Sequence, residues 1–248
     1  MRSRLPLSLP CALALLAGCA YHLHEGPFRL KADDWKGGAR VAIVAFDAAD
    51  QLVRSDLIQQ RARATPPLSG TPTVTPADVQ QALDPAYWAL AHWLTARGFT
   101  LVPGADVAVA EQRLPAPLVG EGMRALGKFA CPGGTGLINI GTLPGTESIT
   151  GPVAFALTPP LARRLADDLR ADLVFGVHVT TPCDSGEDGR PWIFVEAYGR
   201  GEEPAFQADR SLWTFPIGPG FMPPPLGGLV RDNLEGLLAK ASARLSGK

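Results

Sequence analysis

Few side chains in this sequence have the types and spacing that chemistry requires. Four cysteines and four histidines are spread over 248 residues. Cys131 and Cys183 form a candidate disulfide, because both sit among turn residues, in Cys131-Pro132-Gly133-Gly134 and Pro182-Cys183-Asp184. A staple closing a loop of that length stabilises a fold by about 4 kcal/mol in the chain-entropy account. A metal site on the same cysteines lacks a histidine at ligand spacing. His22 and His24 have ligand-like spacing but no third ligand, so they read as part of a polar tail. His178 falls within an apolar run, where a satisfied core or edge histidine is far commoner than a catalytic one. Asp184, Glu187 and Asp188 share one turn and read as solvated charge. Gly133-Gly134-Thr135-Gly136 lacks the lysine and the spacing of a phosphate loop, and neither G-x-S-x-G nor H-E-x-x-H occurs. The expectation is a non-enzyme with no cofactor and no metal.

The remaining two cysteines, Cys11 and Cys19, lie near the N-terminus. Arg2 and Arg4 precede an apolar run over 5–17, the charged and short apolar regions of a secretory signal. The run is too short to span a bilayer as a helix. Leu16-Ala17-Gly18-Cys19 resembles the lipobox of bacterial lipoproteins. That resemblance implies a diacylglyceryl group on the Cys19 thiol, cleavage after Gly18 and acylation of the new amine. Two acyl chains already suffice for stable attachment, at about 0.8 kcal/mol per buried methylene. Ala20, in place of aspartate, resembles the outer-membrane sorting signal of enteric-type bacteria. The expected layout is a signal peptide over 1–18, a lipidated tether with an entry segment over 19–38, and one domain over 39–248. The expected location is the periplasmic face of the outer membrane, an oxidising compartment that permits a disulfide between Cys131 and Cys183.

A net charge of -1 with 19% charged residues gives no basic footprint, so nucleic acid is not an expected partner. The 27 glycines and 24 prolines gather between apolar segments, which predicts long ordered loops around a core. The uninterrupted apolar run over 41–46 predicts a strand buried on both faces, ended by Asp47. Residues 51–63 have moderate helical character, and the Pro/Thr-rich stretch over 65–75 reads as a loop or insertion. Thr75-Pro76 is a helix start, and Val79, Leu83, Tyr87, Leu90 and Leu94 place one apolar stripe on the helix that follows. Asp84-Pro85 predicts a kink or a second helix start. Trp88 and His92 fall opposite that stripe. They are candidates for a partner surface, with burial beneath the Pro-rich insertion the favoured alternative.

Further along, 99–102 predicts a strand and 106–114 a short helix. The segment 115–157 reads as a loop-rich insertion. Thr158-Pro159-Pro160 starts another helix with Leu161, Leu165 and Leu169 on one stripe, followed by a buried strand over 173–179. Residues 192–198 predict the returning strand of a hairpin, and 211–217 a further strand. The Pro/Gly loop over 216–228 displays Phe221 and Met222, a second candidate contact surface, before a terminal helix over 229–245. The fold class is α/β (mixed α+β), a mixed sheet with helices packed against it.

That order, with the strand over 41–46, Gly98-Phe99-Thr100-Leu101-Val102 and Arg170-Ala171-Asp172-Leu173-Val174-Phe175-Gly176, resembles a group of α/β lipoproteins. The group includes relatives of the curli-secretion lipoprotein, the N-terminal domain of the Tol-system β-propeller protein, and the neisserial-type surface lipoproteins. The resemblance implies an accessory subunit of an envelope transport or assembly machine, with envelope proteins as partners, a homo-oligomer among the possibilities, and no catalytic residues. The insertion over 115–151 departs from the pattern. Gly18-Cys19-Ala20-Tyr21-His22-Leu23 is also similar to the start of the lipopolysaccharide-assembly lipoprotein, which implies lipid or lipopolysaccharide binding. An uncharacterised periplasmic enzyme is the third alternative.

Overall fold

The apolar run expected to be a buried strand is one. It forms most of β2 (Arg40–Ala49), which is buried from Val41 to Ala49. The computed structural model describes residues 25–35, 37–64, 70–127, 139–141, 156–180, 191–212 and 224–247. Within them, β1 (Glu25–Leu30), β2, β3 (Thr100–Leu101), β4 (Asn139–Gly141), β5 (Leu173–Thr180), β6 (Trp192–Tyr198) and β7 (Pro204–Ser211) form one sheet. The strand order is β1-β7-β6-β5-β2-β3, with β4 paired to the end of β2. β2 is parallel to β3 and β5, and every other pairing among the described residues is antiparallel. The sheet is therefore mixed, as expected for the α/β class.

Among the described residues six α-helices flank it: α1 (Asp50–Arg63), α2 (Pro76–Thr95), α3 (Gly104–Gln112), α4 (Ala116–Gly127), α5 (Pro159–Leu169) and α6 (Leu226–Leu245). α2 and α6 pack along each other and cover one face of the sheet. On that face Phe46 meets Tyr87 edge-on at 5.7 Å, and Trp35 meets Phe175 and Phe206 at 5.7 and 6.0 Å. The Trp93 indole donates to Ser242 Oγ at 3.0 Å and ties the two helices together. α5 packs on the opposite face with Leu161, Leu165 and Leu169 buried, and α3 and α4 lie beside it.

Local chemistry sets the helix ends. The amide of Asp78 donates to Thr75 Oγ1 and the Thr75 amide to Asp78 Oδ2, a reciprocal cap that satisfies two N–H groups. α5 ends at Arg170 in the left-handed region, φ 49°, where the Ala171 amide reaches back to the Ala166 carbonyl. Asp172 then exchanges hydrogen bonds with the backbone of Arg40, locking β5 beside β2.

The structure departs from the sequence reading at five places. Part of the segment expected to be tether and entry segment belongs to the sheet: Glu25–Leu30 is an edge strand whose Phe28 and Leu30 pack on the core. Three alternating positions in so short a strand are a weak sequence signal. α2 is one helix through Pro85, so no second helix starts there; Leu83, Ala86, Tyr87 and Leu90 on either side of it are buried together and outweigh the lost hydrogen bond. The expected insertion holds α4, which starts where the amides of Leu118 and Val119 reach the Pro115 carbonyl; Gly120 and Gly122 mask it in the sequence. A strand not expected from the sequence lies at Pro204–Ser211, its apolar Ala205, Phe206 and Ala208 obscured by Gln207 and Asp209, while most of the strand expected over 211–217 lies outside the described residues. The fifth departure is that β2 continues past Asp47 to Ala49.

Gly227 marks the closest approach of α6 to α2, since a Cβ there would stand 2.7 Å from the Ala82 carbonyl oxygen. Alanine favours a helix over glycine by up to about 1 kcal/mol, whereas overpacking costs about 1–3 kcal/mol. Gly227→Ala is therefore expected to lower stability despite its better helix propensity. Urea denaturation of both proteins checks the sign.

Candidate functional site

The register of the sheet brings three ionisable side chains together on the face that carries α5. His178 on β5 is opposite Asp47 on β2, and Gly176 is opposite Glu196 on β6. His178 Nδ1 lies 2.7 Å from Asp47 Oδ2, and Nε2 lies 3.3 Å from Glu196 Oε1. Glu196 Oε1 also accepts the amide of Leu157, the residue leading into α5. The imidazole stacks on Phe194 at 6.1 Å and 24°. Gly176 leaves the room for this, because a Cβ there would come within 3.0 Å of His178 Nε2.

The cluster is sealed from solvent: His178 is 0% exposed, Asp47 1% and Glu196 4%. Burial is the largest single influence on the imidazole and pushes its pKa down. The charge and hydrogen bond of Asp47 and those of Glu196 together outweigh burial and raise it to about 10. His178 is thus an imidazolium with both N–H groups donated to carboxylates. It has no lone pair with which to take a proton, so in this state it cannot serve as a general base. Tyr198, the next residue after Glu196 on the same strand face, is pushed up to about 12 by burial and by Glu196.

Beyond the cluster the same face stays polar. Thr180 is opposite Trp192, and Trp192 opposite Ser211. Among the described residues, Thr180 Oγ1, Trp192 Nε1 and Ser211 Oγ are buried atoms with no hydrogen-bond partner, as is Asp209 Oδ1 in the row of His178 and Phe194. Burial raises Asp209 to about 6. Away from this face, burial raises Glu111 on α3 to about 8. A cavity of about 220 Å³ lies between α1, α2 and the start of α6, lined by Val53, Asp56, Gln60, Gln81, Pro85 and Gly227. Asp56 anchors its rim by accepting the Leu226 amide at 3.1 Å.

Of the residues singled out in the sequence, Cys19, Cys131, Cys183, Phe221 and Met222 lie outside the described residues, as do His22, His24, Asp184, Glu187 and Asp188. Trp88 and His92 are together on α2, with ring centroids 6.5 Å apart. Trp88 is 50% exposed, so its expected burial does not occur. The stripe from Val79 to Leu94 turns to the sheet and α6, and Trp88, one residue on from Tyr87, is rotated out of it. Sequence reasoning placed His178 correctly as a satisfied core residue but missed both of its partners. The available signal was a lone Asp and a lone Glu, each inside an apolar strand run.

No protein-family model and no curated protein matches the chain. Among solved structures, a dodecamer of a PelC point variant from Paraburkholderia phytofirmans is similar to it, at 12% identity over 92% of this chain and 99% of that one. The TM-score is 0.31, a likeness that carries no argument about fold or function.

The cluster makes stability depend on pH with a definite sign. His178 has a folded pKa near 10, above its ordinary 6.5, so its contribution is complete below about pH 6.5 and is lost as pH rises through about 10. Urea midpoints should fall across that window in the native protein, and His178→Gln should flatten the fall. Asp47→Asn, which strips one partner from a buried cation, is expected to cost about 3–5 kcal/mol at neutral pH.

Proposed function

We propose that this chain is a lipid-anchored envelope lipoprotein whose α/β domain acts by binding other envelope proteins, as a non-catalytic accessory subunit of a transport or assembly complex. The observation that carries the reading is Leu16-Ala17-Gly18-Cys19 behind the arginines and apolar run of a secretory signal. Lipid on Cys19 tethers the domain to a bilayer surface, and Ala20 favours the periplasmic face of the outer membrane. No helix among the described residues is long and apolar enough to cross a membrane, so the proposed attachment rests on the lipid.

Two structural features support binding over catalysis. The histidine at the centre of the fold has both nitrogens occupied and no access to solvent. Trp88 and His92 form an exposed aromatic pair on a helix whose other side is fixed in the core. Tryptophan is the residue type most enriched where protein interfaces concentrate their energy.

The test is affinity capture of tagged, natively lipidated protein from gently solubilised membranes, followed by cross-linking and identification of what co-purifies. A defined set of envelope proteins is expected, lost with Cys19→Ala. Trp88→Ala should reduce the capture while leaving the urea midpoint nearly unchanged, since surface changes away from special features stay within about 0.5 kcal/mol. Recovery of the bait alone, or with bound lipid only, would defeat this reading.

A further inference from the structure

The cavity beside α2 opens onto the exposed side of the same helix. Val53, Leu57, Ala82 and Pro85 give it apolar walls, and Gln60 and Gln81 supply two amides. Its charge comes from Asp56 and Asp78, and no lysine, arginine or histidine is among the described residues that line it. Asp56 is 8% exposed, and its hydrogen bonds come from neutral donors, the Leu226 amide and Gln60 Nε2, the latter at 2.8 Å. Asp78 is engaged by the Thr75 amide and hydroxyl, again without a cation. The starts of α6 and α2 offset these carboxylates with about half a positive charge each, so the cavity keeps a negative balance. A buried carboxylate whose donors are all neutral is a favourable place for an added cation.

The surface that adjoins the cavity differs from the rest of the helical surface. Gln81, Pro85, Trp88, His92 and Thr95 recur at helical spacing, which makes one stripe along α2, and all of them are exposed. Gln81 and Pro85 also line the cavity, so the two features are continuous. No residue of the stripe carries a carboxylate, ammonium or guanidinium group. The exposed sides of other helices do: α5 shows Arg163, Arg164 and Asp167, and α6 shows Arg231 and Glu235. A stripe without such groups is covered by a partner at little desolvation cost. Charge is concentrated at its Gln81 end, inside the cavity. One partner can therefore bury the stripe and place a single cation.

We propose that the cavity is the anchor site for an arginine side chain of the envelope protein that covers Trp88. The proposal rests on the binding role of Trp88 and His92 proposed above and names the chemistry of the partner's central contact. The cavity, at about 220 Å³, has room for a whole arginine side chain. Its apolar walls suit the methylene stem, which long basic side chains lay along apolar surface while the charged head finds polar groups. Asp56, Asp78 and the carbonyls of Gln60 and Gln81 supply acceptors. The planar guanidinium fork can donate to several acceptors at once, whereas an ammonium is a point charge. Arginine and tryptophan are also residue types in which interfaces concentrate their energy.

The full, natively lipidated chain, isotope-labelled and held in detergent micelles, is titrated with N-acetyl-arginine methylamide. The amide resonances of Gly227 and Gly228, which line the cavity, are followed by NMR. N-acetyl-citrulline methylamide, of the same shape but uncharged, is the control. Saturable shifts are expected with arginine, at an apparent affinity at least about tenfold above that for citrulline, because hydrogen bonds to charged groups are the stronger ones. Gln81→Lys places a competing ammonium at the rim from an exposed position and should abolish the shifts. Gln112→Lys, the same change on α3 at the opposite face of the sheet, should leave them, and matching urea midpoints verify that both variants fold. Shifts that do not saturate, equal affinity for the two probes, or undiminished binding in Gln81→Lys overturns the proposal. In the capture experiment above, Gln81→Lys should lower recovery of the envelope proteins as Trp88→Ala does. Recovery equal to the native level overturns the arginine anchor and leaves the binding role of Trp88 standing. Recovery of the bait alone by the native protein removes that binding role, and with it the partner, even where free arginine binds.

Discussion

A protonated imidazole inside a β-sheet is the constraint around which this fold is arranged. A cation removed from water is tolerated only when opposite charge is held against it in good geometry. Here that charge comes from strands on both sides of β5: Asp47 from β2, 131 residues away in sequence, and Glu196 from β6, 18 away. The same Glu196 oxygen receives the amide of Leu157, so the entry of α5 onto the sheet is set by the cluster that neutralises His178. Gly176 completes the arrangement by having no side chain where the imidazole edge must lie.

This constraint divides the sheet. One face is apolar except at Arg210 and receives α2 and α6, with Trp35, Phe46, Phe175 and Phe206 as its aromatic seam. The other is apolar only where Leu161, Leu165 and Leu169 of α5 lie on it. Past Glu196 it becomes a polar surface of His178, Asp209, Thr180 and Ser211, buried yet incompletely paired. Hydrophobic burial accounts for the first face and the α5 half of the second. The rest of the second combines the His178 cluster with the rings of Phe194 and Trp192 and with polar atoms that have no partner among the described residues.

What was legible in the sequence follows the same division. β2, β5 and the stripes of α2, α5 and α6 were readable because burial against an apolar face leaves a periodic trace. Asp47 read as the end of its strand because a charge after six apolar residues normally faces water, and nothing local reveals a cation 131 residues away. Glu196 was hidden in the same way within Trp192-Ile193-Phe194-Val195. The pairings that form the cluster are set by inter-strand register, which no periodicity within one strand encodes. β1 and α4 were missed for another reason: one has too few apolar positions, and the other holds three glycines in a helix stabilised by contact with α5. Trp88 and His92 were placed on the correct side of their helix, and only their covering was misjudged.

A buried ion cluster of this kind contributes little net stability, because removing charge from water offsets most of the attraction. Its consequence is discrimination between registers. Sliding β5 by one residue against β2 or β6 would turn His178 to the apolar face beneath α2 and α6, and leave Asp47 and Glu196 facing each other without a cation. Apolar strands alone would resist that slip less, since valine occurs on both faces of β5. The cluster therefore acts on the fold, and the same bonds that fix the register occupy both nitrogens of the buried histidine.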